Sequence, residues 1–449
     1  MNPSFRPSRL PLLLLLAIVL LGAAMRLETI AMTVVDAPVR ADARIYYYTA
    51  LNLKRWEVFS RAEPADHAPT PDAYAPPMVP LLISALIEAP PATHMLLAFN
   101  IIQALLGTFT IVLAFLLFRP FAGDAVALGA ALLTALSPHL ISMTTYLLTE
   151  TLFTFFLISG LASLAIAAGP DSGRPRVDGR WLAVAGGALL GLSALTRATT
   201  AYLPWFMLVF LWWQADRRSW WRLTLPAASA ALVVVGIWQI RNLLEIGATG
   251  DPELMIRSLH HGIYPGFMFQ GNPATLGYPY AADPFSANAK TARDVLNELW
   301  RRASADPLTY LGWYAFGKPV MLLSWNMIDG MGDIFIYPVL QSPYFGKPLF
   351  QYSRLLMRVL HTPLSIAGVA GAGLLLWRPD WLGVRPKGQF AAALAVMTLL
   401  YFFLVHAIGA PFPRYGIPLR PLVYGLGLLT LVRAGQWIVA RFRTSQPAA

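Results

Sequence analysis

Apolar runs near or beyond 18 residues recur along the whole of this 449-residue chain, and they restrict its fold more than any other feature. About 20 apolar residues in helical form cross a bilayer core of about 30 Å. A soluble protein with several buried helices would need polar faces on those helices, and these runs lack them. The composition agrees: 57% of the residues are hydrophobic and 13% are charged, about half the charged share of a typical soluble domain. The chain is therefore expected to be an all-α polytopic membrane protein.

Spans are expected at about 10–31, 93–118, 122–137, 146–169, 181–197, 199–214, 221–240, 358–377, 389–408 and 416–438. The first, "LPLLLLLAIVLLGAAM", follows Arg6 and Arg9 and precedes small residues, as a signal peptide also does. With so many spans behind it, an uncleaved first helix is expected. If the N-terminus lies inside, the inner loops are "RPFAGD", "PDSGRPRVDGR", "ADRRSWW" and "WRPDWLGVRPKG", and the tail "RFRTSQPAA" is inside too. All are rich in arginine, as the positive-inside rule requires, and both termini are then cytoplasmic. The net charge of +11 is explained the same way and gives no reason to expect nucleic acid. The absence of cysteine excludes disulfides and thiolate metal sites.

Three parts follow. Residues 1–240 form an N-terminal module of about seven helices with an outer loop at 26–91; 241–357 is an outer segment; 358–449 holds the C-terminal helices. The outer segment is too long for a mere connection. Its stretch "DPLTYLGWYAFGKPVMLLSW", Asp306 to Trp325, is apolar but interrupted by Lys318, which suits a helix lying in the interface. The run from His139 to Gly169 has about ten residues more than a crossing needs. Either "HLISMTTYLL" lies along the outer surface and Glu150 enters near the outer edge, or the helix is long and tilted and Glu150 lies deeper. A carboxylate at that depth is costly and faces protein or water, as a functional group or as a structural partner of an arginine.

Other chemistry gathers at the outer ends of spans. In "RADARIYYYTALNL", Arg40 to Leu53, Asp42 and Tyr46 are one helical turn apart on one face. Tyr47 and Tyr48 suit anchoring at the membrane surface, but anchoring has no use for Asp42. "APPMVPLL", Ala75 to Leu82, reads as an extended entry into a helix. "GALLGLSALTRATT" places Arg197 at the outer end of its span, after glycines spaced for close helix packing. "IWQIRNLLEIG" does the same for Arg241 and Asn242, and "APFPRYGIPLRP" for Arg414 and Tyr415. One such arginine can snorkel to headgroups. Several together, with Lys318 nearby, suit an anion such as a lipid phosphate, which the arginine fork grips in bidentate fashion.

Taken in order, these pieces resemble the GT-C membrane glycosyltransferases of the glycosyltransferase family 39 type, which includes protein O-mannosyltransferases and the aminoarabinose transferase of lipid A. The likeness rests on Asp42, Tyr46, Ala50, Asn52 and Leu53 after the first span, then "PPMVP", with valine in place of the usual aromatic. It continues through Ala135 to Phe153, Gly187 to Arg197, Trp238 to Asn242, "QGNPATLG" (Gln270 to Gly277), and Arg414, Tyr415 and Pro418. One departure is that Asp42 is followed by Ala43, whereas the protein mannosyltransferases carry paired acids there.

The resemblance implies transfer of a sugar, hexosyl or pentosyl, from a polyprenyl-phosphate donor to an envelope lipid, glycan or protein. The site would face the periplasm from the inner membrane, among membrane lipids. Asp42 would be the general base, with inversion at the anomeric carbon. Tyr46 and Glu150 would orient the acceptor, and Arg197, Lys318, Arg241, Arg414 and Tyr415 would hold the donor phosphate. Some relatives use a divalent cation; magnesium or manganese would then sit on Glu150 with His139 or Asp42. A transporter or flippase of lipid-linked sugars would instead place charged residues and broken helices near mid-membrane, in corresponding positions of two halves. A structural subunit of the envelope would explain neither Asp42 nor the arginines.

Overall fold

The computed structural model describes residues 9–87, 93–169, 178–268, 283–328 and 331–444. The helices that build the bundle are α1 (Leu10–Met32), α2 (Ala41–Trp56), α3 (Met78–Leu86), α4 (Thr93–Ala122), α5 (Asp124–Leu136), α6 (Pro138–Ser142), α7 (Glu150–Ala167), α8 (Gly179–Thr196), α9 (Leu203–Gln214) and α10 (Arg217–Ile246). Then come α11 (Pro252–Gly262), α12 (Ala292–Ala305), α13 (307–322), α14 (Pro348–Trp377), α15 (Gln389–Ile408) and α16 (Arg420–Thr444). Helix α13 is continuous through a π turn at Trp313–Gly317. A two-stranded antiparallel sheet pairs β1 (Val34–Val35) with β2 (Val339–Gln341).

Among the described residues, eight helices are long and apolar enough to cross a membrane. The pair Asp124–Leu136 and Pro138–Thr145, bent by 50°, makes a ninth. The expected span 199–214 folds as α9, whose 12 residues reach about 18 Å, short of the bilayer core. Packing shows what it does. A Cβ on Gly187 would lie 2.0 Å from the Ala227 carbonyl oxygen, and one on Gly191 would crowd Ala231 and Val234. Glycine is required at both places, and the order of these contacts makes α8 and α10 parallel neighbours. The chain between two parallel helices has to return along the bundle, and α9 with its flanking turns is that return. The span expected at 358–377 also differs, because α14 reaches back to Pro348.

The surplus residues after His139 neither lie on the surface nor lengthen α7. They form α6, a 3₁₀ turn at Met143–Thr145 and an irregular stretch to Thr149, and all are buried. Irregular backbone inside a bundle has to find its partners within the protein. Here the Gln103 amide donates to the Tyr146 carbonyl (2.8 Å), Ser142 Oγ to Ile334 O (2.9 Å) and the Tyr146 hydroxyl to Tyr337 O (3.1 Å). Glu150 is thereby fixed at the first turn of α7.

Both long segments meet at one end of the bundle, the loop end. The β1–β2 pair joins them, as do Asp36 N donating to Pro338 O (2.9 Å) and the Lys347–Glu28 ion pair (3.0 Å). In the second segment α11 and α12 close over Ile263, Tyr264 and Val295, with Arg302 gripping Asp283 (2.8 Å) and Glu298 (2.6 Å). The stretch Gln270 to Gly277 and the loop around Arg174 lie outside the described residues.

A candidate active site at the loop end

The site begins with the backbone. Arg40 is extended, and Ala41 has a φ of 45°, a left-handed conformation that costs a residue with a Cβ about 1–2 kcal/mol. That sharp entry launches α2, with Asp42 in its first turn and Tyr46 one turn on. The far end of α2 is tied down by Asn52, whose amide donates to Ser60 O (2.9 Å) and Ala62 O (2.8 Å).

Facing Asp42 is a 3₁₀ turn, Pro413–Leu419, that precedes α16. Arg414 Nη2 from this turn donates to Asp42 Oδ2 in an ion pair, and Arg414 Nε lies 4.0 Å from Glu150 Oε1. Glu150 Oε1 accepts from Arg197 Nη1 at 2.9 Å. Arg197 is the extended residue that ends α8. Its guanidinium lies over the Tyr415 ring at 4.2 Å, and that of Arg414 lies 5.5 Å from the same ring. Four charges thus alternate in a line: Asp42, Arg414, Glu150, Arg197. Side-chain exposure is greatest at Asp42, 36%, against 15% at Arg414, 2% at Glu150 and 12% at Arg197. Asp42 is the end that a ligand reaches.

Burial raises the proton affinity of Asp42, but the charge and hydrogen bond of Arg414 and the charge of Arg197 outweigh it, so its carboxyl is held below the usual carboxylate value. Burial, then the charges of Asp42 and Glu150, push the Tyr46 phenol up. It stays protonated, a hydrogen-bond donor beside the carboxylates.

The structure therefore brings together Asp42, Tyr46, Glu150, Arg197, Arg414 and Tyr415, and leaves three expected residues elsewhere. Lys318 is 1% exposed and caps the C-terminus of α15, donating to the carbonyls of Ala407 (2.6 Å) and Gly409 (3.0 Å). The negative end of a helix explains that placement of a cation. Arg241 donates to Asp72 O (3.1 Å) and lies against the rings of Trp238 and Phe59. His139 Nε2 contacts Trp325 O at 2.7 Å. Among the described residues no three His, Cys, Asp or Glu side chains are grouped to hold a metal ion.

Two residues at the site were not anticipated. Tyr337, next to β2, shares the electrostatic field of Asp42, Arg414 and Glu150, and no local pattern marked it. Arg26 lines a small internal void together with Glu150. It was legible as a charge at the end of an apolar run.

Residues 74–239 match the family model described as dolichyl-phosphate-mannose-protein mannosyltransferase. The match includes Glu150 and Arg197 but not Asp42 or Arg414, whose membership of the site comes from geometry. No curated protein matches the sequence. Among solved structures, the archaeal oligosaccharyltransferase AglB from Archaeoglobus fulgidus, in complex with an inhibitory peptide and a dolichol-phosphate, is similar with a TM-score of 0.54 at 16% identity, over 99% of this chain and 53% of that one. The chain thus spans about half the length of that relative. ArnT from Cupriavidus metallidurans bound to undecaprenyl phosphate has a TM-score of 0.44 at 16% identity, over 98% of this chain and 81% of that one. The protein O-mannosyltransferase Pmt1-Pmt2 complex of S. cerevisiae, bound to the sugar donor, has a TM-score of 0.40 at 14% identity, over 57% and 36%. The archaeal likeness shows the fold, a polytopic helical bundle of the GT-C type, as the sequence motifs led one to expect.

Proposed function

We propose that this GT-C-type chain is a membrane glycosyltransferase that moves a sugar from a polyprenyl-phosphate donor to a hydroxyl of an envelope lipid, glycan or protein. The active site would lie at the periplasmic face of the inner membrane. The observation that carries this reading is the line of alternating charges ending on the accessible Asp42. The A. fulgidus structure, with its bound dolichol-phosphate, supports a lipid phosphate as donor.

In this reading the acceptor oxygen attacks the anomeric carbon from the side opposite the phosphate, and the configuration inverts. The carbon–oxygen bond to phosphate breaks, the acceptor proton passes to Asp42, and the polyprenyl phosphate leaves as an anion. Arg197 and Arg414 stabilise that anion, so the leaving group needs no proton. Asp42 is a weak base while Arg414 is paired with it. An incoming phosphate competes for the same guanidinium, and as Arg414 turns to it Asp42 regains basicity. Donor binding thus arms the base. Tyr46, protonated and on the same face, orients the carboxylate or the acceptor.

Movement of a lipid-linked sugar without chemistry is less well supported. The charge line stands at one end of the bundle, and the described residues hold a single bent helix pair rather than corresponding breaks in two halves. The test is reconstitution in liposomes with a polyprenyl-phosphate sugar and envelope extract. Release of polyprenyl phosphate with a newly glycosylated acceptor supports the proposal. Translocation of intact donor with no transfer would sink it. Mass spectrometry of envelope lipids and glycans with and without the gene then identifies sugar and acceptor.

A further inference from the structure

Behind the charge line is a small void with room for about one water molecule. Its lining includes Arg26, Gly107, Glu150, Thr151 and Thr154. Three polar atoms of these residues are buried and have no hydrogen-bond partner among the described residues: Arg26 Nε, Glu150 Oε2 and Thr151 Oγ1. The berth is built for the arginine. Arg26 is 1% exposed, its Nη1 donates to Gly22 O at 2.9 Å, and a Cβ on Gly107 would come within 2.8 Å of its Nε. A buried guanidinium is costly, and among the described residues Arg26 makes no ion pair. One orphan donor, one orphan acceptor and one hydroxyl around a water-sized space match what a buried water needs, two to four polar partners.

We propose that a single water occupies this void, accepts from Arg26 Nε, donates to Glu150 Oε2 and bonds the Thr151 hydroxyl. Through it Arg26 is the positioning residue that keeps the Glu150 side chain aimed at Arg197. The consequence for transfer rests on the glycosyltransferase reading, but the water and the charge coupling do not. Several groups face Glu150: Arg197 from α8, Arg414 from the 3₁₀ turn, Asp42 and Tyr46 from α2, and Tyr337 beside β2. Arg26 is the cation that stands behind this cluster.

The test is an infrared acid titration of the intact protein in lipid nanodiscs, with the carbonyl band of protonated Glu150 identified by its loss in Glu150→Gln. Arg26→Met should move the midpoint of that band up by about one pH unit or more, the size expected for loss of a nearby opposite charge. Arg26→Lys should stay nearer wild type. Thr151→Val, almost isosteric, should shift the midpoint in the same direction by less. Wild-type midpoints in both Arg26→Met and Thr151→Val would overturn the proposal. Should Arg26→Met not fold, the Thr151→Val and Arg26→Lys titrations decide it alone. A shifted midpoint with unchanged donor kcat/KM would remove the positioning role. Total lack of transfer in wild type would refute the glycosyltransferase reading while leaving the midpoints to speak for the water.

Discussion

Replacing Asp42 with asparagine keeps the side chain's shape and removes its ability to take a proton. General-base catalysis contributes about 10²–10⁴-fold, so kcat should fall by that factor, about 3–5 kcal/mol in the barrier. The structural cost should be smaller. The asparagine oxygen still accepts from Arg414, and the lost ion pair involves a carboxylate 36% exposed to solvent, so about 1 kcal/mol of stability is at stake. Donor KM should change far less than kcat and in the direction of tighter binding, because Arg197 and Arg414 remain and Arg414 is no longer held by a carboxylate. The pH dependence follows from the lowered proton affinity of Asp42. In wild type the acid limb of kcat/KM should lie below the ordinary aspartate value of 3.8. The matching stability contribution is present above the unfolded value and is lost as pH falls through the folded one. Arg414→Gln leaves burial opposed only by the charge of Arg197 and should move the acid limb up. The assay is single-turnover transfer from labelled donor by protein in nanodiscs, with melting temperature measured in parallel. An Asp42→Asn protein that melts like wild type and transfers at the wild-type rate would refute the general-base role.

Arg197→Lys should retain part of the donor affinity, since an ammonium supplies charge without the bidentate fork, while Arg197→Ala should also destabilise the fold by about 3–5 kcal/mol by stranding buried Glu150; a wild-type melting profile in Arg197→Ala would contradict the pairing. Lys318→Met should cost about 1–2 kcal/mol through the lost helix cap and leave donor KM unchanged, so a raised KM at full stability would return Lys318 to the phosphate site. Cysteines introduced at Arg218 and Lys290, both exposed positions in a cysteine-free chain, should react with an impermeant reagent from opposite sides of the membrane; labelling of both in intact cells would refute the expected topology.

Much of the bundle was legible because apolar length and arginine placement act locally. The line through Asp42, Glu150, Arg197 and Arg414 was legible for the same reason: each is an ionisable residue at the end of an apolar run, where its cost demands an explanation. What failed was anything decided by tertiary partners. Lys318 looks from sequence like one more cation near the others, yet it caps α15, a helix some 90 residues further on. His139 and Glu150 are close in sequence, but His139 lies in α6 and its ring meets Trp325 O. The short α9 reads as a full span because its apolar content says nothing about where Gln214 ends the helix. The single water-sized void depends on a glycine in α4 facing an arginine in α1, which no pattern along either helix discloses.

Asp42 and Arg414 are 372 residues apart, and the strand pair that braces the loop end joins Val34 to Gln341. Synthesis therefore delivers the carboxylate early and its partner near the end. Closing so long a loop contributes only after most helices are in place. The strand partner β2 arrives before α14, but until the 3₁₀ turn before α16 follows, Asp42 lacks the arginine that pairs with it. A chain stopped in the α14–α15 connection could insert most of its helices and still have no chemistry to perform. For the proposed glycosyltransferase, assembly order would then act as a safeguard, because an unfinished copy in the membrane would lack the arginine that meets the donor phosphate.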